Sequence, residues 1–146
     1  MLVSQKRIVV EDGHCDPSGF VYSPQFMRWF DACTTALFKN AGLPLPALLK
    51  EQSVVGIPIV KVEAQFFLPS ICGDELLAES TVARFGKSSF VIRHLFSKRG
   101  VLAVEGYETR VWAVHVPDDP QRIQSRPLPP ELVARLSVSR TVVASI

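Results

Sequence analysis

Two kinds of hydrophobic periodicity divide the chain. Between residues 24 and 40, apolar side chains recur every three or four positions, which is the spacing of an α-helix. Residues 57–116 instead alternate apolar and polar side chains in four segments joined by short turns, as antiparallel β-strands do. One long helix followed by strands with one apolar face predicts an α+β fold, in which an antiparallel sheet wraps around a central helix.

The long helix has clear start and stop signals. Ser23 is a preferred N-cap residue, and Pro24 suits the first helical position because the N–H that proline lacks would be unpaired there anyway. Asparagine and glycine at positions 40 and 42 favour a stop. So few positions of the helix are polar that we expect it to be largely buried. Its main apolar stripe consists of Phe26, Phe30, Cys33 and Leu37.

The segments on either side of the helix also have recognisable patterns. Residues 3–11 favour a first strand, and residues 44–52 favour one or two helical turns. The four strands of residues 57–116 follow one another through short turns and are expected to form a meander. Residues 117–130 are rich in proline and predict no regular element, whereas residues 129–137 favour a short helix. The last residues of the chain, 141–146, could be frayed or could pair with a neighbouring strand.

Length and composition narrow the class of protein. A chain of 146 residues with 47% hydrophobic and 21% charged residues suits a single domain, residues 1–146, whose tail from residue 117 to 146 is less regular. The net charge is +2 and the basic residues are scattered, so nothing indicates nucleic-acid binding. Three cysteines without a CxxC pair favour a reducing compartment and argue against a zinc site. With no signal-like segment and no membrane span indicated, we expect a cytoplasmic protein.

Two acidic residues are the first candidates for chemistry. Asp16 precedes Pro17, which keeps the dipeptide extended or turned, so Asp16 is either the carboxylate of a site or simply an Asx-turn residue. Asp31 falls on the predicted buried helix, where a carboxylate is costly unless it has a partner. A bound ligand, a partner arginine or a solvated helix edge would each explain it.

Other titratable residues are weaker candidates. His94 shares a strand face with apolar residues, which is more typical of a core histidine than of a general base. His14 is in a loop and could orient a site, whereas the side chain of the adjacent Cys15 diverges from it. Glu63 is a rival general base, but it alternates with lysine and glutamine on a polar strand face, which favours a surface or an interface. The chain contains no GxSxG, GxGxxG, P-loop or HExxH motif.

An extended motif, GHCDPSGFVYSPQFMRWFDA at residues 13–32, joins the acidic loop to the helix. It resembles the signature of the 4-hydroxybenzoyl-CoA thioesterase family, which has the hotdog fold. GLP at 42–44, VVGIPIV at 54–60 and KSSFVIRH at 87–94 are similar to the same family, so the resemblance covers about residues 7–115. It implies an acyl-CoA thioester hydrolase that works as a homo-oligomer, commonly a tetramer built as a dimer of dimers, without a metal or other cofactor.

The resemblance also implies roles for individual residues. Asp16 corresponds to the catalytic carboxylate, and Ser23 to the helix-start position whose backbone N–H bonds the thioester carbonyl. Asp31 corresponds to the carboxylate that binds the ring hydroxyl of a hydroxybenzoyl group, and Tyr22 and His14 are expected to contact the substrate. The region that meets the CoA phosphates contains Arg84, Lys87, Ser88 and Arg93.

A carboxylate next to a helix start suits thioester hydrolysis. An aspartate with an ordinary pKa of about 3.9 is ionised at pH 7 and needs no further activation. The first N–H groups of a helix are unpaired and polarise a carbonyl placed against them. Whether Asp16 attacks as a nucleophile or acts as a general base stays open. So do two other functions, a short-chain or broad-specificity acyl-CoA thioesterase and a non-catalytic acyl-CoA-binding protein.

Overall fold

A computed structural model describes residues 1–144, which contain eight strands and three α-helices, so the α+β class is confirmed. The predictions for positions 145 and 146 lie outside the described residues. In chain order the elements are β1 Val3–Val9, α1 Ser23–Asn40, α2 Leu45–Glu51, β2 Ile59–Phe66, β3 Glu75–Phe85, β4 Ser89–Lys98, β5 Val101–Val111, β6 Ala113–Val116, β7 Asp119–Ser125, α3 Pro130–Leu136 and β8 Thr141–Val143.

Six of the strands form one sheet in the order β2-β5-β4-β3-β1-β8. Neighbouring strands run antiparallel, except that β8 runs parallel to β1. The predicted meander is confirmed for β3, β4 and β5 and wrong for β2, which pairs with β5 at the far edge. β2 cannot pair with β3 because β1 and β4 already occupy both edges of β3.

Helix α1 packs against one face of this sheet. The Phe30 ring stacks on His94 of β4, with the ring centroids 4.9 Å apart and the planes inclined by 6°. Gly106 of β5 lies against the same ring, and a Cβ atom there would overlap it, so this close approach requires glycine. The buried face of β4 consists, as predicted, of Phe90, Ile92, His94 and Phe96.

Only one side of α1 is buried, which differs from the prediction of a largely buried helix. Its seven buried residues lie on the side of the core, whereas Met27, Arg28 and Asp31 on the other side are exposed. The difference arises because a single sheet covers one side of the helix and leaves the opposite side to solvent. Among the described residues, no helix is long and apolar enough to cross a membrane.

The C-terminal part of the chain is more regular than predicted. β5 ends at Val111, and the fully buried Trp112 leaves the sheet and donates its backbone N–H to the backbone oxygen of Ser88 at 2.8 Å. β6 then forms a separate two-stranded ribbon with β7. The prediction that the fourth strand continues to residue 116 is therefore wrong. The prediction of no regular element in residues 117–130 is also wrong, because Asp119–Ser125 form β7. Pro120 fits in this strand because an edge strand of a two-stranded ribbon tolerates a proline. The short terminal helix is confirmed as α3, and of the two possibilities for the chain end, pairing is the one found, with Thr141–Val143 as β8.

Candidate active site

The loop between β1 and α1 is held closed by its own backbone. Asp16 donates its N–H to the backbone oxygen of Phe20 at 2.8 Å, and Gly19 between them has a φ of +89°, which favours glycine. Val21 donates its N–H to the backbone oxygen of Ser70 at 2.9 Å, which ties the loop to the connection between β2 and β3. The position of Asp16 is therefore set by the loop itself and by the neighbouring connection.

The carboxylate of Asp16 is half-buried, and only one of its oxygens is engaged. Oδ1 accepts hydrogen bonds from the Ser18 hydroxyl at 2.5 Å, the Ser18 N–H at 2.9 Å and the Phe20 N–H at 3.3 Å. These hydrogen bonds, the Ser18 hydroxyl first, hold the pKa of Asp16 below its ordinary value. The Asx-turn that the sequence left open is thus present, but Oδ2 accepts no hydrogen bond from the described residues and is free to react.

The helix begins one residue earlier than predicted. Ser23 is its first residue rather than its N-cap, and the N-cap is Tyr22, whose side chain makes no capping hydrogen bond. The N–H of Ser23 has no hydrogen-bond partner among the described residues, and Pro24 has no N–H to compete with it. An unpaired N–H at the positive end of an 18-residue helix is well suited to bind a carbonyl or an oxyanion.

A cavity of about 360 Å³ opens beside the start of α1. Two serines contribute its polar groups, Ser23 from the helix and Ser70 from the β2–β3 connection, and the remaining lining is apolar. The rings of Phe26 and Phe66 meet edge-on in its wall, with centroids 4.9 Å apart. The lining residues are Phe20, Val21, Ser23, Phe26, Phe66, Phe67, Leu68, Pro69 and Ser70.

His14 and Tyr22 flank this cavity without lining it. Nδ1 of His14 accepts the N–H of Glu11 at 2.9 Å, and its ring packs edge-on against Trp29 with centroids 5.2 Å apart. A neutral His14 therefore carries its proton on Nε2. Tyr22 is 58% exposed, and its N–H donates to the backbone oxygen of His14 at 2.8 Å.

Asp31 does not join Asp16 within one chain. It lies eight residues beyond Ser23, roughly 12 Å along the helix axis. Its Oδ1 accepts a hydrogen bond from Nη2 of Arg110 at 3.0 Å, although its side chain is 68% exposed. Of the explanations that the sequence left open, the structure therefore contains two, the partner arginine and the solvated helix edge, and Oδ2 accepts no hydrogen bond from the described residues.

A buried network of charged and polar side chains lies under the middle of α1. Oε2 of Glu108 accepts a hydrogen bond from the Thr34 hydroxyl at 2.7 Å and lies 3.1 Å from Nε2 of His94. Nη2 of Arg110 donates to Oε1 of Glu108 at 3.1 Å, and the Ser80 hydroxyl lies 2.7 Å from Nδ1 of His94. Burial alone would raise the pKa of Glu108, but the hydrogen bonds and charges of His94 and Arg110 outweigh it and bring the pKa to about 2.

Sequence reasoning missed Glu108 and Arg110, although a signal was present. Both fall at even positions of β5, in the register of the buried Val104, so a charged pair occurs where the strand pattern calls for apolar residues. The interpretation of His94 as a core histidine is confirmed, since its side chain is fully buried. Glu63 is exposed and pairs with Lys61 at 2.9 Å, in keeping with a surface position.

The four candidate CoA-binding residues lie far from Asp16 within one chain. Arg84 and Arg93 are on the sheet face away from α1, where Arg84 lines a groove of about 440 Å³, and Lys87 and Ser88 form the β3–β4 turn. That turn is at the C-terminal end of α1, where Phe38 and Phe90 pack with ring centroids 5.7 Å apart. The loop with Asp16 is at the opposite end, roughly 20 Å away along the helix.

A metal site would need several histidine, cysteine, aspartate or glutamate side chains close together. Within residues 1–144, no three histidine, cysteine, aspartate or glutamate side chains come together in a way that could hold a metal ion. The buried Cys33 is a poor ligand in any case, because burial raises the pKa of its thiol to about 11. That the protein needs no metal or other cofactor stays a prediction.

Comparison with known proteins identifies the family. A family model described as the thioesterase-like superfamily matches residues 10–136. The 4-hydroxybenzoyl-CoA thioesterase of Pseudomonas sp. (strain CBS-3) is 32% identical over 138 residues, which cover 90% of this chain and 94% of that protein. The 1,4-dihydroxy-2-naphthoyl-CoA hydrolase of Synechococcus elongatus is 24% identical over 135 residues, which cover 92% of this chain and 96% of that protein.

A solved structure agrees with these sequence matches. The crystal structure of a 4-hydroxybenzoyl CoA thioesterase variant, in which an aspartate is replaced by asparagine, contains 4-hydroxybenzoyl CoA and matches this fold with a TM-score of 0.84. The two sequences are 30% identical, and the match covers 92% of this chain and 99% of that one. With the family model, the full-length relative and this fold in agreement, the chain belongs to the thioesterase-like superfamily, has its hotdog fold and is a thioester hydrolase.

Proposed function

We propose that this protein hydrolyses the thioester of an aromatic acyl-CoA, such as 4-hydroxybenzoyl-CoA, to the free acid and CoA. Three features of the β1–α1 loop and the helix start that follows it support this function. Asp16 offers a free carboxylate oxygen, Ser23 offers an unpaired N–H at the start of α1, and an apolar cavity opens beside that helix start. A carboxylate, an oxyanion donor and a cavity for the acyl group are the parts that thioester hydrolysis needs.

In the proposed reaction, the thioester carbonyl oxygen accepts the N–H of Ser23, which stabilises the negative charge that develops on that oxygen. Losing one such donor typically lowers turnover by about 100- to 1000-fold. As a nucleophile, Oδ2 of Asp16 attacks the carbonyl carbon, the C–S bond breaks and CoA leaves as the thiolate; water then hydrolyses the resulting anhydride. As a general base, Asp16 instead takes a proton from the water that attacks the carbonyl.

An aromatic acyl group is favoured by the cavity and by the relatives. Four of the nine lining residues are phenylalanines, whose rings can pack against an aromatic ring. The relatives described above act, by name, on 4-hydroxybenzoyl-CoA and 1,4-dihydroxy-2-naphthoyl-CoA, which are both hydroxylated aromatic thioesters. A cavity with so few polar groups would also accept a short alkyl chain, so butyryl-CoA belongs among the substrates to be compared.

Strand β2 supports the proposal that the active protein is a homo-oligomer. Its predicted apolar face is only partly covered within the chain: Val62, Ala64 and Leu68 pack against the core, whereas Val60 is 62% and Phe66 55% exposed. Its outer edge pairs with no other strand of the described residues, and such an edge readily pairs with a second copy. Two β2 strands related by a two-fold axis run antiparallel, which brings the Ile59 end of one copy to the Phe66 end of the other.

This arrangement would complete the site with residues of the second copy. Within one chain, Arg110 lies opposite Ile59, and its partner Asp31 therefore lies at that end of β2. Across the two-fold axis, Asp31 of the second copy approaches the helix start and the cavity, where its free oxygen could accept a ring hydroxyl. Lys87, Ser88 and Arg84 also lie towards that end, whereas Arg93 lies near the middle of β4. Their role with CoA, and assembly as a tetramer, are parts of the same proposal.

The role of Asp16 is tested by Asp16→Asn, which keeps the shape of the side chain and removes its charge. We expect kcat on 4-hydroxybenzoyl-CoA to fall by about 100- to 10,000-fold. Asp12→Asn, in the exposed turn just before the same loop, is the matched control and should retain activity. Unchanged hydrolysis by Asp16→Asn would end the proposal for this residue, and a single turnover in heavy-oxygen water would separate the two mechanisms by label incorporated into Asp16.

Comparison of 4-hydroxybenzoyl-, benzoyl- and butyryl-CoA tests the substrate class. We expect the largest kcat/KM on the hydroxylated aromatic thioester, because a site with a positioned hydrogen-bond partner discriminates strongly against an analogue that lacks the matching group. A larger kcat/KM on butyryl-CoA would replace the aromatic assignment with a short-chain or broad-specificity thioesterase. Binding of all three without hydrolysis would favour an acyl-CoA-binding protein.

A further inference from the structure

Ser70 holds a buried hydroxyl group that the fold does not use. Among the described residues, three buried polar side-chain atoms lack a hydrogen-bond partner: Ser70 Oγ, Arg93 Nε and Trp112 Nε1. Of these three residues, Ser70 is the one that lines the cavity beside the start of α1, and it is only 3% exposed. A buried hydroxyl without a partner costs free energy, and a ligand in the cavity that Ser70 lines would supply the missing partner.

The backbone of Ser70 is held in place by the loop that precedes α1. The carbonyl of Ser70 accepts the N–H of Val21, and the next residue, Ile71, pairs with Phe20 in an antiparallel bridge. Val21 and Phe20 belong to the loop that carries Asp16. The backbone of Ser70 is therefore positioned by the same loop as the carboxylate, which places the residue next to a substrate bound there.

The chemistry of the cavity limits what the hydroxyl can recognise. Apart from Ser23 at the helix start, every other lining residue is apolar, so Ser70 supplies the one buried side-chain hydroxyl of the wall. A serine hydroxyl can donate a hydrogen bond, whereas the carboxylate of Asp31 can only accept one. A phenolic hydroxyl group can accept a hydrogen bond from Ser70 and donate one to Asp31.

We propose that Ser70 is a specificity-determining residue whose hydroxyl donates a hydrogen bond to a polar substituent of the acyl group bound in this cavity. This inference rests on the proposed acyl-CoA hydrolysis and names a contact that selects hydroxylated over plain aromatic acyl groups. The step involves binding only, so Ser70 changes no covalent bond.

The experiment compares wild type and Ser70→Ala on 2-, 3- and 4-hydroxybenzoyl-CoA and on benzoyl-CoA. We expect kcat/KM to fall about tenfold on at least one hydroxylated isomer and less than about twofold on benzoyl-CoA, since one neutral hydrogen bond is lost. Ser97→Ala, on the half-buried outer position of β4, is the matched control and should change neither. Ser70→Thr, which keeps a hydroxyl, should restore part of the preference.

Thermal unfolding gives a second measurement, which separates a role in substrate binding from a role in the stability of the fold. Because the Ser70 hydroxyl has no partner in the fold, Ser70→Ala should leave Tm unchanged or raise it. A lower Tm together with an equal loss of kcat/KM on all four thioesters would overturn the inference, as would unchanged kcat/KM on every hydroxylated isomer.

A failure of the proposed hydrolysis can be distinguished from a failure of the inference on Ser70. If wild type hydrolysed none of the four thioesters, hydrolysis would be ruled out for these substrates, but Ser70 could still be tested. Thioether analogues, in which a CH2 group separates the carbonyl from sulfur, bind without reacting. Wild type should bind the hydroxylated analogue more tightly than the plain one, and Ser70→Ala should lose that difference; an equal difference in both proteins would overturn the inference.

Discussion

Replacing Glu108 with glutamine tests how much the buried network contributes to stability. Glu108 is fully buried, and its pKa lies at about 2 instead of the ordinary 4.5 because His94 and Arg110 bond to its ionised form more strongly than burial opposes it. At about 1.36 kcal/mol per pH unit, this difference corresponds to roughly 3 kcal/mol of stability at pH 7. Glu108→Gln removes this charge and leaves the buried Arg110 with the exposed Asp31 as its remaining anionic partner, so we expect the free energy of unfolding to fall by about 3 kcal/mol.

The same reasoning fixes how the effect depends on pH. Since folding depresses the pKa of Glu108, its stabilisation is fully present above about pH 4.5 and is lost as the pH falls towards about 2. The difference between wild type and Glu108→Gln should therefore be largest near neutral pH and shrink in acid. Urea unfolding, followed by circular dichroism at several pH values, measures it.

A surface glutamate provides the control for this measurement. Glu63 is exposed on β2 and pairs with Lys61, so Glu63→Gln should change the free energy of unfolding by less than about 1 kcal/mol at every pH. If Glu108→Gln were as stable as wild type at pH 7, or if its deficit persisted unchanged in acid, the ion pair would not be the source of the stability.

Two further predictions concern Asp16 and strand β2. Ser18→Ala removes the strongest of the hydrogen bonds that lower the pKa of Asp16, so the loss of kcat/KM in acid should begin at a higher pH than in wild type; coincident pH–rate profiles would contradict this. Val60→Lys places a charge on the proposed β2–β2 contact and should dissociate the homo-oligomer in analytical ultracentrifugation. Val101→Lys, at a similarly exposed valine of β5, should leave the assembly intact, and equal behaviour of the two variants would argue against the contact.

The local parts of the fold could be predicted because their signals are local. The Ser23-Pro24 pair and the residues around Gly42 mark the ends of α1 to within one or two residues, and alternation marks β3 and β4. The position of β2 could not be predicted in this way. Alternation shows that a segment is a strand, but the choice between β3 and β5 as its neighbour depends on β1, which comes from the start of the chain.

The residues of the candidate site also differ in whether nearby sequence predicts them. Asp16 and Ser23 are close in sequence, so one motif gives both the carboxylate and the helix start. The partner of Asp31 is Arg110, 79 positions away, and nothing in the sequence around either residue indicates the pair. Ser70 is a single serine in a connection, and only its burial against the cavity distinguishes it from other serines.

The buried network also bears on the active site, because it fixes α1 to the sheet. Two residues of the helix, Asp31 and Thr34, bond to Arg110 and Glu108 of β5, and these bonds set the rotation and the axial position of α1. A helix is rigid over this distance, so the N–H of Ser23 is placed by contacts two and three turns away from it. Misplacing a catalytic group by about 1 Å can cost around 100-fold in rate. A charged network that costs free energy to bury therefore serves the chemistry at the helix start by keeping that start in position.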